Sequence, residues 1–129
     1  MKAVVATKQG AVLQDIPTPE PGAGEILVRV HTAGLNRADL NTLKAGAGQP
    51  IGMEWSGTVA ALGPGVEGFR EGDRVMCSGK HGFAEYAVAE VGRSMLVPQN
   101  LDMRRAGSLM LALQTAHDAV VTHGAVQQG

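Results

Sequence analysis

Six glycines punctuate residues 51–75, IGMEWSGTVAALGPGVEGFREGDRV, and limit this stretch to short strands joined by tight turns. Gly63-Pro64-Gly65 combines a fixed φ with two positions that carry no Cβ, and Gly72-Asp73 offers a second reversal. Residues 56–62 before this loop and the run that starts at Asp73 are predicted to be strands, and so compact a loop brings them together. On spacing alone the pattern indicates a surface hairpin of an ordinary β-barrel, because turn glycines carry no chemistry.

Further strands are predicted on both sides of this hairpin. Residues 2–6 and 12–16, separated by a Lys-Gln-Gly turn, are predicted to form an opening hairpin. In residues 25–32 the side chains of Ile26, Val28 and Val30 share one face, which predicts a strand with that face in a core. The chain is therefore expected to be mainly β.

Three short helical segments are predicted as well. Asn36 is a natural N-cap for a helix that continues over residues 40–45, and Asp39 can reach back to the exposed amides. Asp102 is a second predicted N-cap. Residues 108–121 are helical in composition and apolar on most sides, so this segment is expected to be buried.

Length and composition limit the class of protein. With 129 residues, of which 44% are hydrophobic, and a net charge of -1, the chain can bury the core of one domain and offers no basic field for nucleic acid. No apolar run reaches the ~20 residues that span a bilayer, and no signal peptide is recognised, which predicts a cytoplasmic address. The one cysteine, Cys77, is expected to be a buried, inert thiol.

The order of residues in the segment 52–75 carries more information than their spacing. Gly-x-Glu-x-x-Gly-x-Val is followed by Gly-x-Gly-Val and then by Phe-x-x-Gly-Asp-Arg-Val. This order resembles the core segment of the GroES-like catalytic domain of the medium-chain dehydrogenase/reductase family, and residues 82–86 are similar to its Gly-Tyr-Ala-Glu-Tyr strand. The resemblance covers the whole chain. It implies a GroES-like, partly open β-barrel with short helices, the C-terminal ones leading toward a Rossmann domain.

Within this resemblance, the metal-binding positions of the zinc-dependent members carry other residues. Asn36 stands where those members have a Cys, and Met53 stands where they have the His of Gly-His-Glu. A catalytic zinc needs three protein ligands, and a structural zinc of this family needs four cysteines, whereas Cys77 is alone. Because quinone oxidoreductase-like members carry Asn at the first position, the resemblance implies a zinc-independent member with no metal site.

The resemblance also implies roles for individual side chains. Asn36 is the expected catalytic residue, and Asn36 and Thr115 are expected at the nicotinamide end of the cofactor. Asn41 stands where many quinone oxidoreductases have a Tyr beside the nicotinamide. The expected substrate pocket is lined by Leu40, Asn41, Met53 and Trp55.

Structural alternatives stay open for these residues. Asn36 has the capping role already described, and the Thr115 hydroxyl is equally well explained by a bond to its own helical turn. Trp55 fits simple core packing as well as a pocket wall. Glu54 fits a pocket lining or a satisfied buried carboxylate that braces the turn. A loop histidine such as His81 is expected to be solvated.

The dinucleotide fingerprint Gly-x-Gly-x-x-Gly is missing from the chain. Residues 1–129 are therefore interpreted as the substrate-side GroES-like domain of an NADPH-dependent oxidoreductase, with the dinucleotide-binding Rossmann domain outside this chain. The expected reaction is zinc-independent hydride transfer to a quinone or a conjugated enone, in a full-length homodimer. Two alternatives remain, a complete, non-catalytic GroES-like binding or assembly module and a zinc-free reductase of enoyl thioesters.

Overall fold

A computed structural model describes residues 1–126, which form two antiparallel β-sheets with short helices. The strands of this part are β1 (Lys2–Thr7), β2 (Gly10–Asp15), β3 (Glu25–Gly34), β4 (Gln49–Pro50), β5 (Glu54–Leu62), β6 (Arg74–Ser78), β7 (Tyr86–Glu90) and β8 (Ser94–Leu96). The helices are α1 (Asp39–Ala45), α2 (Met103–Ala106) and α3 (Met110–His117), with a 3-10 turn at Val91–Arg93 and a π-helical stretch at Asp118–His123.

The two sheets together make a partly open barrel. One sheet has the strand order β2-β1-β4 and the other the order β7-β3-β5-β6-β8. The sheets meet where Ala3 bridges Ala84 and where the Val4 N–H donates to the Phe83 carbonyl at 2.8 Å. Strands β2 and β8 are outer strands, so the barrel is not closed. This architecture confirms the predicted fold class, and both predicted hairpins, β1–β2 and β5–β6, are present.

The larger sheet carries a separate apolar core on each face. The barrel core contains Ile26, Val28, Trp55, Val59, Val75, Cys77, Ala87 and Ala89. The helix core lies on the opposite face, where α2 and α3 pack, and contains Met76, Val97, Ala106 and Met110. Alternate residues of one strand therefore serve different cores, because successive side chains of a strand point to opposite faces.

Two bulges interrupt the pairing of β3 with β5. Ala60 is the extra residue on β5, and His31 is the extra residue on β3. Beyond His31 the alternation of β3 is reversed. Ala33 packs against the barrel core, and Gly34, which pairs with Glu54, lies on the helix face.

The predicted burial of residues 108–121 is wrong in the part of the chain that the structure describes. Leu113, Val120 and Val121 have 50%, 50% and 52% of their surface exposed, whereas Met110 is buried. Only one side of α3 packs on the sheet, so composition alone overestimates its burial. Among residues 1–126, no helix has both the length and the apolar composition that a membrane crossing requires.

The predicted capping role of Asn36 is also wrong. Helix α1 begins at Asp39 after Ala38, and no side chain caps it. The part of the prediction that concerns Asp39 is confirmed, since its Oδ2 accepts the backbone N–H of Asn36 at 2.8 Å. The side chain of Asn36 is directed elsewhere. The second predicted cap is confirmed, because Asp102 accepts the N–H of Arg105 at 2.8 Å.

Cys77 is fully buried in the barrel core, as predicted, and its environment gives a pH dependence to stability. Burial raises the pKa of the Cys77 thiol to about 11 from its ordinary 9.0, against a smaller lowering by a hydrogen bond with Ser94. Between these two pH values the unfolded chain loses a proton that the folded chain keeps. The stabilising contribution is therefore complete below pH 9.0 and is lost as the pH rises toward 11.

We therefore expect Cys77 to lower the free energy of unfolding by about 1.4 kcal/mol per pH unit across that window. Urea denaturation of the wild type and of Cys77→Ala, at several pH values across the window, measures this slope. Lysine and tyrosine titrations are common to both proteins, so the difference in slope isolates the thiol. Equal slopes would show that Cys77 ionises in the folded chain as it does in water.

Candidate functional site

The end of β3 and the start of β5 bring Asn36 beside Glu54. Asn36 is half-buried, two residues after β3, and its Nδ2 donates to Oε1 of Glu54 at 2.9 Å. Glu54 is only 3% exposed, and its side chain lies over Gly34. A Cβ at Gly34 would stand 2.6 Å from Oε1 of Glu54, which is closer than atoms approach without a shift. The glycine at this position therefore makes room for the carboxylate.

The second oxygen of Glu54 connects the sheet to α3. Oε2 accepts the backbone N–H of Leu111 at 3.1 Å, in the first turn of α3. Helix α3 has no side-chain cap of its own at Leu109, so Glu54 satisfies one of its free amides from across the fold. The positive end of the helix also favours a negative charge at this place. Of the two roles considered for Glu54, the structure shows the second, a buried carboxylate whose hydrogen bonds are satisfied.

A second polar contact holds the same helix one strand further along. Ser78 pairs with Glu54 across the β5–β6 ladder, is buried, and donates its hydroxyl to Oε1 of Gln114 at 2.9 Å. Sequence reasoning missed Ser78 and Gln114. Two local signals were available: Ser78 is a polar residue directly after the apolar run of β6, and Gln114 lies three residues after Leu111, on the same side of α3. The sheet and α3 therefore enclose a polar layer formed by Asn36, Glu54, Ser78 and Gln114.

Three of the predicted pocket residues have accessible surface, and each lies within five residues of Asn36 or Glu54 in the sequence. Leu40 and Asn41 are exposed on α1, which begins three residues after Asn36. Met53 is half-buried directly before Glu54, and its carbonyl accepts the N–H of Gly79 at 2.8 Å. Their accessibility is what a pocket lining needs, and their role in substrate binding stays a prediction.

Trp55 occupies a different place from the one predicted for a pocket wall. It is 0% exposed and belongs to the barrel core, on the opposite face of β5 from Glu54. A Cβ at Gly82 would stand 2.5 Å from its ring, so the loop before β7 packs closely on the indole. A pocket wall needs accessible surface, so the prediction that Trp55 lines the substrate pocket is corrected to core packing.

Thr115 is exposed on α3, and its hydroxyl donates to the carbonyl of Leu111 at 2.8 Å. This bond to its own helical turn is the structural alternative noted for this residue. The hydroxyl oxygen retains lone pairs that can accept from an outside N–H. A contact of Thr115 with the cofactor stays a prediction.

The loop that carries His81 runs beside the residues that precede β5. The N–H groups of Gly82 and Phe83 donate to the carbonyls of Gly52 and Ile51 at 3.0 and 2.8 Å. His81 has a φ of 70°, in the left-handed region that few non-glycine residues adopt. Partial desolvation of the ring lowers the pKa of His81, and the positive charge of Lys80 lowers it further. Its surface is exposed, as expected for a loop histidine.

A groove of about 690 Å³ lies between α3 and the strand β8. Its size falls within the range of small-molecule sites. Gln114 belongs both to this groove and to the polar layer. The groove is lined by Arg93, Met95, Met110, Leu113, Gln114, His117 and Asp118. Within residues 1–126, His, Cys, Asp and Glu side chains form no group of three that could hold a metal ion.

The chain is similar in sequence and fold to several known proteins. Residues 22–100 match the alcohol dehydrogenase GroES-like domain. The trans-enoyl reductase grgB of a Penicillium species is 33% identical over 133 residues, which cover 93% of this chain and 38% of that protein. The quinone oxidoreductase of Rattus norvegicus is 29% identical over 110 residues, which cover 79% of this chain and 33% of that protein.

A solved structure gives the same result for the fold. The mycobacterial protein Rv1454c, complexed with NADPH, superposes with a TM-score of 0.87 at 31% identity over 100% of this chain and 43% of its own. The chain thus spans at most 38% of the length of the two curated relatives.

Proposed function

Because this chain belongs to the alcohol dehydrogenase GroES-like domain family, we propose that it is the substrate-side domain of an NADPH-dependent, zinc-independent oxidoreductase that reduces quinones or conjugated enones. The observation that carries the proposal is the pair formed by Asn36 and Glu54. It puts an amide where the resemblance expects a zinc-ligating cysteine. Relatives named as quinone oxidoreductases and as trans-enoyl reductases support the reaction class.

Zinc independence rests on the chemistry of the side chains. An amide at Asn36 and a thioether at Met53 replace a thiolate and an imidazole, the groups that zinc prefers. Glu54 has both of its oxygens engaged by N–H donors. No three of the usual ligands gather in residues 1–126. Polarisation of the substrate by a zinc ion is therefore not part of the proposed reaction.

The polar side chains of the site fit the nicotinamide end of NADPH. Asn36 and Thr115 offer oxygen atoms that can accept from a carboxamide N–H, whereas the sequence has no glycine-rich fingerprint for a pyrophosphate. NADPH, when bound, supplies the hydride. Asn36 and Thr115 orient the nicotinamide ring, while Leu40 and Met53 limit the access of water. The bulk of the cofactor is assigned to a Rossmann domain outside this chain.

A companion domain is supported by the exposed apolar surface of α3 and its continuation. Leu113, Val120 and Val121 are each about half exposed in the described part of the chain. An apolar stripe of this kind is costly in water and is typical of a surface that another domain covers. It counts against the alternative of an independent binding module.

The proposal is tested by the oxidation of NADPH by the full-length protein with a quinone, an enone and an enoyl thioester as separate acceptors. We expect turnover with the quinone or the enone, unchanged after treatment with a chelator. Failure with every acceptor would refute the proposed activity, and stoichiometric, tightly bound zinc would refute zinc independence.

A reductase of enoyl thioesters is the second candidate. The 33% identity to a trans-enoyl reductase favours it, and so does Asn41, which replaces the aromatic residue expected beside the nicotinamide in quinone oxidoreductases. The ratio of kcat/KM for the thioester to that for the quinone, measured in the same assay, separates the two candidates.

A further inference from the structure

We propose that Glu54 is a positioning residue: it fixes the Asn36 amide with its oxygen outward, so that position 36 acts as a hydrogen-bond acceptor for a carboxamide N–H. This inference rests on the proposed function for the identity of the ligand, a nicotinamide. The orientation of the amide itself rests only on the contacts of residues 36, 54 and 111.

The chemistry of the donors decides which atom of Asn36 faces Glu54. The backbone N–H of Leu111 is a donor that cannot change its role, and it takes Oε2 of Glu54 at 3.1 Å. An ionised carboxylate only accepts hydrogen bonds, so Oε1 also requires a donor. The nitrogen of Asn36 is that donor, at 2.9 Å. The opposite orientation would place two acceptors in contact.

The surroundings of Glu54 prevent the carboxylate from turning away. Its side chain is 3% exposed and lies against Gly34, whose missing Cβ leaves the space that the carboxylate fills. One oxygen is held by α3 and the other by Asn36. A buried acceptor that lost either donor would pay the cost of an unsatisfied polar group, so both bonds persist together.

The oxygen of Asn36 is left available by this arrangement. The buried side-chain atoms without a partner in residues 1–126 are Oδ1 of Asp39 and Nε1 of Trp55. Oδ1 of Asn36 is not among them, although it makes no hydrogen bond within this part of the chain, so it reaches the surface of the site. An outward acceptor matches the N–H of a carboxamide and does not match the carbonyl oxygen of a quinone or an enone.

The variant Glu54→Gln should reverse this polarity without changing the shape of the site. The N–H of Leu111 will take the single oxygen of the new amide, which leaves the NH2 of residue 54 facing Asn36. Asn36 must then turn its own oxygen inward and present its NH2 to the ligand. The double variant Asn36→Asp with Glu54→Gln restores an outward acceptor, since an aspartate can only accept.

Neutron diffraction from deuterium-exchanged crystals of the full-length protein reads the orientation without any activity. We expect the deuterons of Asn36 on the atom that faces Glu54 in the wild type and on the outward atom in Glu54→Gln. Deuterons on the outward atom of the wild type would overturn the proposal, whether or not the protein oxidises NADPH.

The binding of cofactor analogues measures the effect of this orientation on the ligand. The acetylpyridine analogue of NADPH lacks the carboxamide N–H, so the wild type should bind it more weakly than NADPH. We define the Kd ratio as the Kd of this analogue divided by the Kd of NADPH. This Kd ratio should fall about tenfold in Glu54→Gln, because the outward NH2 no longer accepts from the carboxamide. The Kd ratio should return to the wild-type value in the double variant. It should equal the wild-type value in the control Glu67→Gln, which alters an exposed carboxylate in the loop between β5 and β6. If Glu54→Gln leaves the Kd ratio unchanged, the inference about Glu54 is wrong. NADPH turnover by the wild type would still support the proposed function in that case. Absence of that turnover refutes the proposed function alone.

Discussion

Replacing Trp55 with alanine is expected to lower the free energy of unfolding by about 3–5 kcal/mol, the usual cost of removing a large aromatic side chain from a core. Trp55 has no exposed surface and packs among the side chains of the barrel core, from Ile26 on β3 to Val75 on β6. The cavity that the indole leaves adds to the lost transfer free energy. The loss should appear in urea denaturation of the 129-residue chain followed by circular dichroism.

The matched control is Trp55→Phe, which keeps an aromatic ring and removes the indole N–H. Nε1 of Trp55 is buried without a hydrogen-bond partner in residues 1–126. Its removal relieves the cost of that unsatisfied donor, which offsets part of the lost packing, so we expect a change below about 1.5 kcal/mol. If Trp55→Ala raised the KM of the full-length protein and left unfolding unchanged, Trp55 would line a pocket instead of the core.

Replacing Asn36 with alanine is expected to lower the kcat/KM of the full-length protein about 100-fold, because a misplaced nicotinamide loses the near-attack geometry for hydride transfer. The variant also removes one donor from the buried Glu54 carboxylate, which should lower the free energy of unfolding by about 1–3 kcal/mol. Steady-state NADPH oxidation and urea denaturation of the same preparations measure the two effects separately.

Asn100→Ala is the control for this prediction, since Asn100 is exposed in the loop before α2. It should change neither quantity beyond error. If Asn36→Ala lowered stability and left turnover intact, Asn36 would serve only to satisfy Glu54. The predicted N-cap cannot explain such a result, because α1 begins at Asp39 without a side-chain cap.

The sequence was sufficient for those parts of the fold that depend on neighbours along the chain. The glycine turns between β5 and β6, the opening hairpin and the Asp102 cap all follow from turn chemistry or from a period of two. The faces of Ile26, Val28 and Val30 were predicted for the same reason. These residues precede the bulge at His31 and follow simple alternation.

Contacts between distant segments decided the features that the sequence did not reveal. Asn36 carries a strong local capping signal, yet its side chain bonds Glu54, 18 residues away. Glu54 in turn reaches an amide of Leu111, 57 residues away. A capping rule considers only the next turn of helix, so it cannot weigh a buried carboxylate from another strand. Burial of α3 depends likewise on what packs against each of its sides.

The bulge at His31 determines how relatives can be aligned at this edge of the site. It reverses the alternation of β3, so that Gly34 and not Ala33 faces the carboxylate of Glu54. A homologous strand one residue shorter would be regular and would still present its glycine to that carboxylate. A strand two residues shorter would turn the glycine toward Trp55. Gaps of one residue here therefore conserve the arrangement, whereas gaps of two destroy it.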